Sequence, residues 1–215
     1  MPHDFDETYW DEHWQQYPAR GGDVRSSMPP NPYLARETAG LRPGTALDAG
    51  CGAGAEALWL AEHGWRVTAA DISGEALAGA AERAAASAAA DRVAWVQADL
   101  AVWEPGTRFD LVTTHYAHPA MPQLDFYDRV AAWVAPGGTL LIVGHLHTHD
   151  ASPHGHGHDD GPPPEASVTP AAVTARLGGD AWEVVTAEAA VRTLTAPGGR
   201  EVTLHDVVVR ATRRG

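Results

Sequence analysis

From residue 45 onward, short apolar runs alternate with helix-like segments. Thr45-Ala46-Leu47-Asp48 predicts a strand, followed by a glycine turn and a helix over about 55–63 that Gly64 stops. Trp65 to Ala70 predicts a second strand, and Ser73-Gly74 opens a long alanine-rich helix. Val93 to Val96 and Phe109 to Thr114 predict the third and fourth strands. Leu124 to Val134 predicts a helix ended by Pro136-Gly137-Gly138, and Thr139 to Gly144 the fifth strand. These strands are apolar almost without interruption, as parallel strands buried on both faces are.

Beyond the fifth strand, residues 145–168 are a low-complexity insert of His, Asp, Gly and Pro, expected as a surface loop. Thr169 and Pro170 suit the N-cap and first position of a helix that Gly178-Gly179 stops. Trp182 to Leu194 and Val202 to Thr212, either side of Pro197-Gly198-Gly199, read as an antiparallel hairpin at the sheet edge. The whole predicts an α/β, doubly wound, mostly parallel seven-stranded sheet with a C-terminal antiparallel hairpin, over residues 45–215. Residues 1–44 differ, being rich in aromatics and prolines. A helix there would bring Tyr9 or Trp10 near Trp14 and Tyr17 on one face. Residues 1–44 are therefore expected to be an N-terminal aromatic helical cap, and those rings a lid over an active site.

Composition narrows the function. The chain has 215 residues, with 15 basic against 28 acidic side chains and a net charge of −13. Such a balance argues against nucleic acid or anionic membrane as partner, because phosphate binding needs clustered cations. Every basic residue is Arg. That excludes a P-loop lysine, a pyridoxal Schiff base and the protein-kinase lysine. Cys51 is the single cysteine, so no internal disulfide forms, and the acidic N-terminus lacks the apolar core of a secretory signal. A cytoplasmic protein is expected. Residues 130–149 lack Asp, Glu and Arg, but Pro136-Gly137-Gly138 interrupts them, so a helix end, a turn and a buried strand are expected in place of a membrane span.

The informative segment is Leu47-Asp48-Ala49-Gly50-Cys51-Gly52-Ala53-Gly54. An apolar strand runs into glycines at alternate positions and then into a helix. Glycines allow a sharp turn and close approach of a ligand, and the helix N-terminus offers N–H groups to an anion. A dinucleotide fingerprint is G-x-G-x-x-G. Here the spacing is G-x-G-x-G with Asp48 two residues before it, which disfavours a pyrophosphate and suits a cationic group. Asp71 closes the second strand and Asp99 the third. Acids at successive carboxyl strand ends suit a ligand carrying a ribose, an amine and a sulfonium.

Together with Ala70-Asp71-Ile72-Ser73, Gln97-Ala98-Asp99-Leu100, Phe109-Asp110-Leu111-Val112 and Pro136-Gly137-Gly138-Thr139-Leu140, this segment resembles the class I S-adenosylmethionine-dependent methyltransferases. The resemblance implies a Rossmann-like sheet, S-adenosyl-L-methionine as cofactor and S-adenosyl-L-homocysteine as product. It implies that Gly50, Cys51, Gly52 and Gly54 contact the methionine part, with Asp48 near its amine. Asp71 would hold the ribose, Ile72 and Leu100 would sandwich adenine, Asp99 would accept from its amino group, and His115 would lie at the methionine end. Tyr9-Trp10-Asp11-Glu12-His13-Trp14, Pro30-Asn31-Pro32-Tyr33-Leu34 and Gly64-Trp65-Arg66-Val67-Thr68 are similar to small bacterial methyltransferases of the tellurite-resistance and thiol types. A thiol or other soft nucleophile on a small molecule is the expected acceptor, with O- or N-methylation of a small metabolite as the alternative. A monomer or homodimer is expected.

Histidines supply the remaining chemistry. His145, past the fifth strand, and His118, past the fourth, are rival candidates to take a proton from the acceptor. His147, His149, His154, His156 and His158 lie in the insert among Asp150, Asp159 and Asp160, a composition suited to a divalent metal. Ordering such a His/Gly tract costs entropy, so a polar insertion is preferred to a metal site, and a metal-binding protein is the rival function.

Overall fold

The computed structural model describes residues 5–16, 29–146, 166–195 and 201–215. Its strands are β1 (Thr45–Ala49), β2 (Arg66–Asp71), β3 (Val93–Gln97), β4 (Phe109–His115), β5 (Val134–Leu146), β6 (Ser167–Val168), β7 (Trp182–Thr195) and β8 (Glu201–Arg213). They form one sheet in the order β3-β2-β1-β4-β5-β8-β7, with β6 on β5. β1 to β5 pair in parallel, and β8 is antiparallel to both β5 and β7. The α-helices among the described residues are α1 (Glu7–Gln16), α2 (Pro32–Thr38), α3 (Ala55–Glu62), α4 (Gly74–Ala84), α5 (Gln123–Ala132) and α6 (Pro170–Arg176). None is long and apolar enough to cross a membrane.

Alternation along the strands explains their apolar character. Ala46, Leu111, Leu141 and Val208 pack in one layer with Leu34 and Leu60. Leu47, Val112, Leu140 and Val207 pack in the other with Phe126. Both faces are covered, so a polar alternation would place polar groups in a dry layer. Local caps start the helices where the sequence predicts. Ser73 Oγ accepts from Ala76 N at 3.1 Å, and Thr169 Oγ1 accepts from Ala172 N at 3.1 Å.

Three boundaries differ from the sequence reading. β5 begins at Val134, where the helix was expected to end. Val134 pairs with Phe109, the register then shifts, and the ladder resumes at Thr139 opposite Leu111. Pro136-Gly137-Gly138 is thus absorbed as an irregularity in a longer strand, because Pro lacks the N–H that a ladder needs. β5 also runs on to Leu146, and β6 pairs with His145 and Leu146, so both ends of the expected loop are strand. Residues 147–165 lie outside the described residues.

β1 has β2 on one side and β4 on the other. The strand order therefore reverses at β1, and a crevice opens beyond the carboxyl ends there, where open α/β sheets bind ligands.

Candidate active site

A cavity of about 690 Å³ lies over these carboxyl ends. Its floor is the turn after β1. Gly50 N and Cys51 N both donate to Ala70 O, at 2.8 and 3.1 Å, which ties the turn to β2. Gly50, Gly52 and Gly54 have φ of +78°, +48° and +75°, the region that L side chains avoid. A Cβ on Gly50 would stand 2.2 Å from Ala117 Cβ, and one on Gly52 2.7 Å from the Trp14 ring. The N-cap of α3 is Gly54, which brings no side-chain oxygen to the N–H groups of the first turn, and Ala57 N in that turn donates to Asp48. Cys51 also lines the cavity, but burial first and the nearby Asp71 and Asp48 charges next push its thiol pKa well up, so it is no nucleophile.

Acids gather on the β2–β3 side. Asp71, the last residue of β2, lines the cavity and accepts from Gly52 N at 2.7 Å and Ser73 N at 3.0 Å. Burial raises its pKa, and the N–H groups of Ser73, Gly52 and Ile72 oppose that rise. Asp99 accepts from Ala101 N through Oδ1 at 2.9 Å, and Ile72 and Leu100 add apolar walls.

Asp48 is placed differently from expectation. It is the fourth residue of the five in β1, not the last, so it is 1% exposed and does not line the cavity. Burial, then the charges of Glu56 and Asp71, hold its carboxyl pKa well above the usual range, and Oδ2 has no hydrogen-bond partner among the described residues. Glu56, in the first turn of α3, lines the cavity in its stead and accepts from Asn31 N at 2.9 Å. The raised value means that ionising Asp48 destabilises the fold. That penalty is absent below about pH 3.8, where the carboxyl is protonated in folded and unfolded chains alike, and is complete above the raised folded value. Asp48→Asn is expected to raise Tm at pH 7 and to lose that advantage as pH falls toward 3.8, read by thermal melts across pH.

The histidine candidates separate. His118 lines the cavity; His145 does not, and stacks behind it, ring centroids 5.2 Å apart and 28° between planes. β5 carries His145 within the sheet, against Tyr116 at 4.7 Å. Burial, then the neighbouring His118, push its pKa down to about 4. Gln123 fixes the His118 tautomer. Its Nε2 donates to Ala117 O at 3.0 Å, so its Oε1 faces His118 Nδ1 at 3.2 Å and that nitrogen carries the hydrogen. Nε2 is then the basic nitrogen, and burial lowers the ring's pKa, leaving it neutral near pH 7. His115 lines the cavity with Nε2 buried and unpartnered among the described residues, its pKa also lowered by burial.

The aromatic segment covers the cavity. Trp10 and Trp14 line it, as do Phe5 and His13, which the sequence reading passed over. Tyr9 does not; it packs edge-on against Phe5 at 5.3 Å. Tyr17 lies outside the described residues, as do His147, His149, His154, His156 and His158. Among the described residues no group of three or more His, Cys, Asp or Glu could hold a metal ion. α1 is fastened by Asp11, which accepts from Ser73 Oγ at 2.5 Å, and by Glu7, which accepts from Gln97 Nε2 at 3.0 Å.

The far wall comes from Tyr116 and from Arg192, Thr193 and Leu194 of β7. Tyr116 follows β4 with φ of +55°, unusual for a non-glycine residue. Burial raises its hydroxyl pKa well above the ordinary value.

Residues 46–138 match a sequence family described as "Methyltransferase domain". The chain is similar to part of ribosomal RNA small subunit methyltransferase C of Alcanivorax borkumensis, 33% identical over 108 residues, which are 47% of this chain and 32% of that one. It is also similar to part of trans-aconitate 2-methyltransferase of Streptomyces avermitilis, 36% identical over 106 residues, 46% of this chain and 38% of that one. The matched stretch thus spans about a third of each curated relative. The fold is shared with the N-methyltransferase NodS from Bradyrhizobium japonicum WM9 in complex with S-adenosyl-l-homocysteine. That structure gives a TM-score of 0.67 at 16% identity, over 96% of this chain and 99% of that one. The matched segment contains the glycine turn and the acids at the strand ends; the aromatic cover and most of the far wall lie outside residues 46–138.

Proposed function

We propose that the chain is an S-adenosylmethionine-dependent methyltransferase acting on a small-molecule acceptor, with a thiol or other soft nucleophile preferred. The observation that carries this is the floor of the cavity: three left-handed glycines pinned to β2 beside a carboxylate at each of the next two strand ends. The residues present fit the cofactor. Gly50 to Gly54 and the start of α3 would hold its methionine carboxylate, Glu56 its ammonium, Asp71 its ribose hydroxyls, and Ile72 and Leu100 its adenine, with Asp99 on the adenine amino group. When bound, the cofactor supplies a methyl group on a positively charged sulfur.

The protein's own part is to bind, orient and exclude water. The described part of the N-terminal segment acts as a cap, with Trp10 and Trp14 lining the cavity and supplying aromatic rings of the kind that suits a sulfonium. His118 Nε2 takes the acceptor proton. A neutral imidazole is enough for a thiol, whose pKa is about 8.5. That modest demand is why this equipment suits sulfur better than a hydroxyl.

His118 predicts a pH profile. Its lowered pKa means that the basic form appears as pH rises through a value below about 6.5, the ordinary histidine pKa, and persists above it. With a thiol acceptor, kcat should climb through that acid limb. His118→Gln should remove the limb and lower kcat at pH 7 by about tenfold, since a thiol is already partly ionised there. A radiolabelled methyl-transfer assay across pH with thiol, phenol and amine acceptors reads both. Product with phenols or amines alone would overturn the preference for sulfur.

A further inference from the structure

The acceptor end of the cavity is built by a strand that the glycine motif does not involve. β7 is the edge of the sheet opposite β3, so Arg192 enters from the side away from Asp71 and Asp99. It is the only arginine among the described residues that line the cavity. Two fixed partners hold its guanidinium. Nε donates to Asp206 Oδ2 at 2.7 Å, and Nη2 donates to the Tyr116 hydroxyl at 2.9 Å. The Tyr116 hydroxyl in turn donates to Asp206 Oδ1 at 2.7 Å. Asp206 is fully buried, and the Arg192 side chain is 18% exposed.

An arginine has five N–H donors in a rigid fork. Two are used here, leaving both hydrogens of Nη1 and one of Nη2 without an acceptor among the described residues. A preset guanidinium edge in a half-enclosed cavity matches a planar oxyanion, and bidentate pairing is the geometry it offers. Asp206 already offsets one charge, so the remaining pull suits a monoanion better than a phosphate dianion. The strained Tyr116 backbone is explained by the same arrangement, because it sets the hydroxyl between Arg192 and Asp206.

We propose that the acceptor is a small carboxylic acid whose carboxylate docks on the free edge of Arg192, placing its nucleophile toward His118. This rests on the methyltransferase reading and names the substrate class of that same site. The test uses the full chain saturated with S-adenosylhomocysteine and titrated calorimetrically with 3-mercaptopropionate and benzoate, each against its amide. The acids should bind at least tenfold tighter than the amides. In Arg192→Lys that gap should shrink below threefold with affinity for S-adenosylhomocysteine unchanged. The double variant R192Q/D206N, which removes both charges together, should behave likewise if the single variant folds poorly. Equal binding of acid and amide, binding of neither, or an undiminished gap in the variants would overturn the inference. Failure of the wild type to take up S-adenosylhomocysteine at all would instead overturn the reading beneath it.

Discussion

Asp71→Ala is expected to weaken S-adenosylmethionine binding by about 100-fold, the combined worth of two charge-assisted hydrogen bonds at roughly 1.5 kcal/mol each. Asp71 stands at the last position of β2, with one oxygen on Gly52 N and the other on Ser73 N. Those two bonds hold the carboxylate rigid at the cavity wall and couple the glycine turn to the start of α4. The alanine variant therefore loses both the ribose contact and the strut that shapes the turn. Asp71→Asn keeps one acceptor oxygen and should fall between, near tenfold. Calorimetric titration of each variant, with far-ultraviolet circular dichroism to confirm folding, separates a binding defect from an unfolded chain. Unchanged affinity in the alanine variant would remove Asp71 from the site.

Gly50→Ala carries the second large effect, and it acts through the backbone. An alanine at φ +78° costs about 1–2 kcal/mol, and its Cβ would also meet Ala117 Cβ at 2.2 Å. Ala117 sits on the loop that carries His118, so relief of the clash moves the turn or that loop. A total near 3 kcal/mol lowers Tm by roughly 6–12 °C in a chain of this size. Cofactor binding should be lost in the same variant. Adding Ala117→Gly removes the clash and should restore part of the Tm, leaving the backbone cost alone. Gly178→Ala is the control, because nothing lies within 4 Å of a Cβ there. A thermal shift assay checks all three.

The parts of the site that were legible in the sequence are those fixed by one strand and the turn after it. Asp71 ends β2 and Asp99 lies just past β3, so position along the chain places both at the cavity, while Ile72 and Leu100 beside them were legible through the family resemblance. Asp48 looked equivalent but is followed by Ala49 within β1, and that single residue puts its side chain between sheet and helix. His145 and His118 were indistinguishable as residues past strand ends. The extension of β5 to Leu146, stabilised by β6, is a tertiary pairing that no local pattern announces. Arg192 and Tyr116 were missed for the same reason. A cation in an exposed edge strand reads as an ordinary solvated residue until β8 pairs between β5 and β7 and sets Asp206 opposite Ala190, two residues along from Arg192 and within reach of its guanidinium. Glu56 was hidden differently, since an acid in a first helical turn already has a local explanation in the helix dipole. Phe5 precedes α1 and gains its place only when that helix lies across the crevice.

Calorimetric titration of the wild-type chain with S-adenosylhomocysteine, against NAD as comparison, tests most directly whether the crevice at the end of β1 holds this one ligand. The predicted result is one S-adenosylhomocysteine bound per chain and no heat from NAD. No saturable binding of S-adenosylhomocysteine, or binding of the dinucleotide in its place, would contradict it.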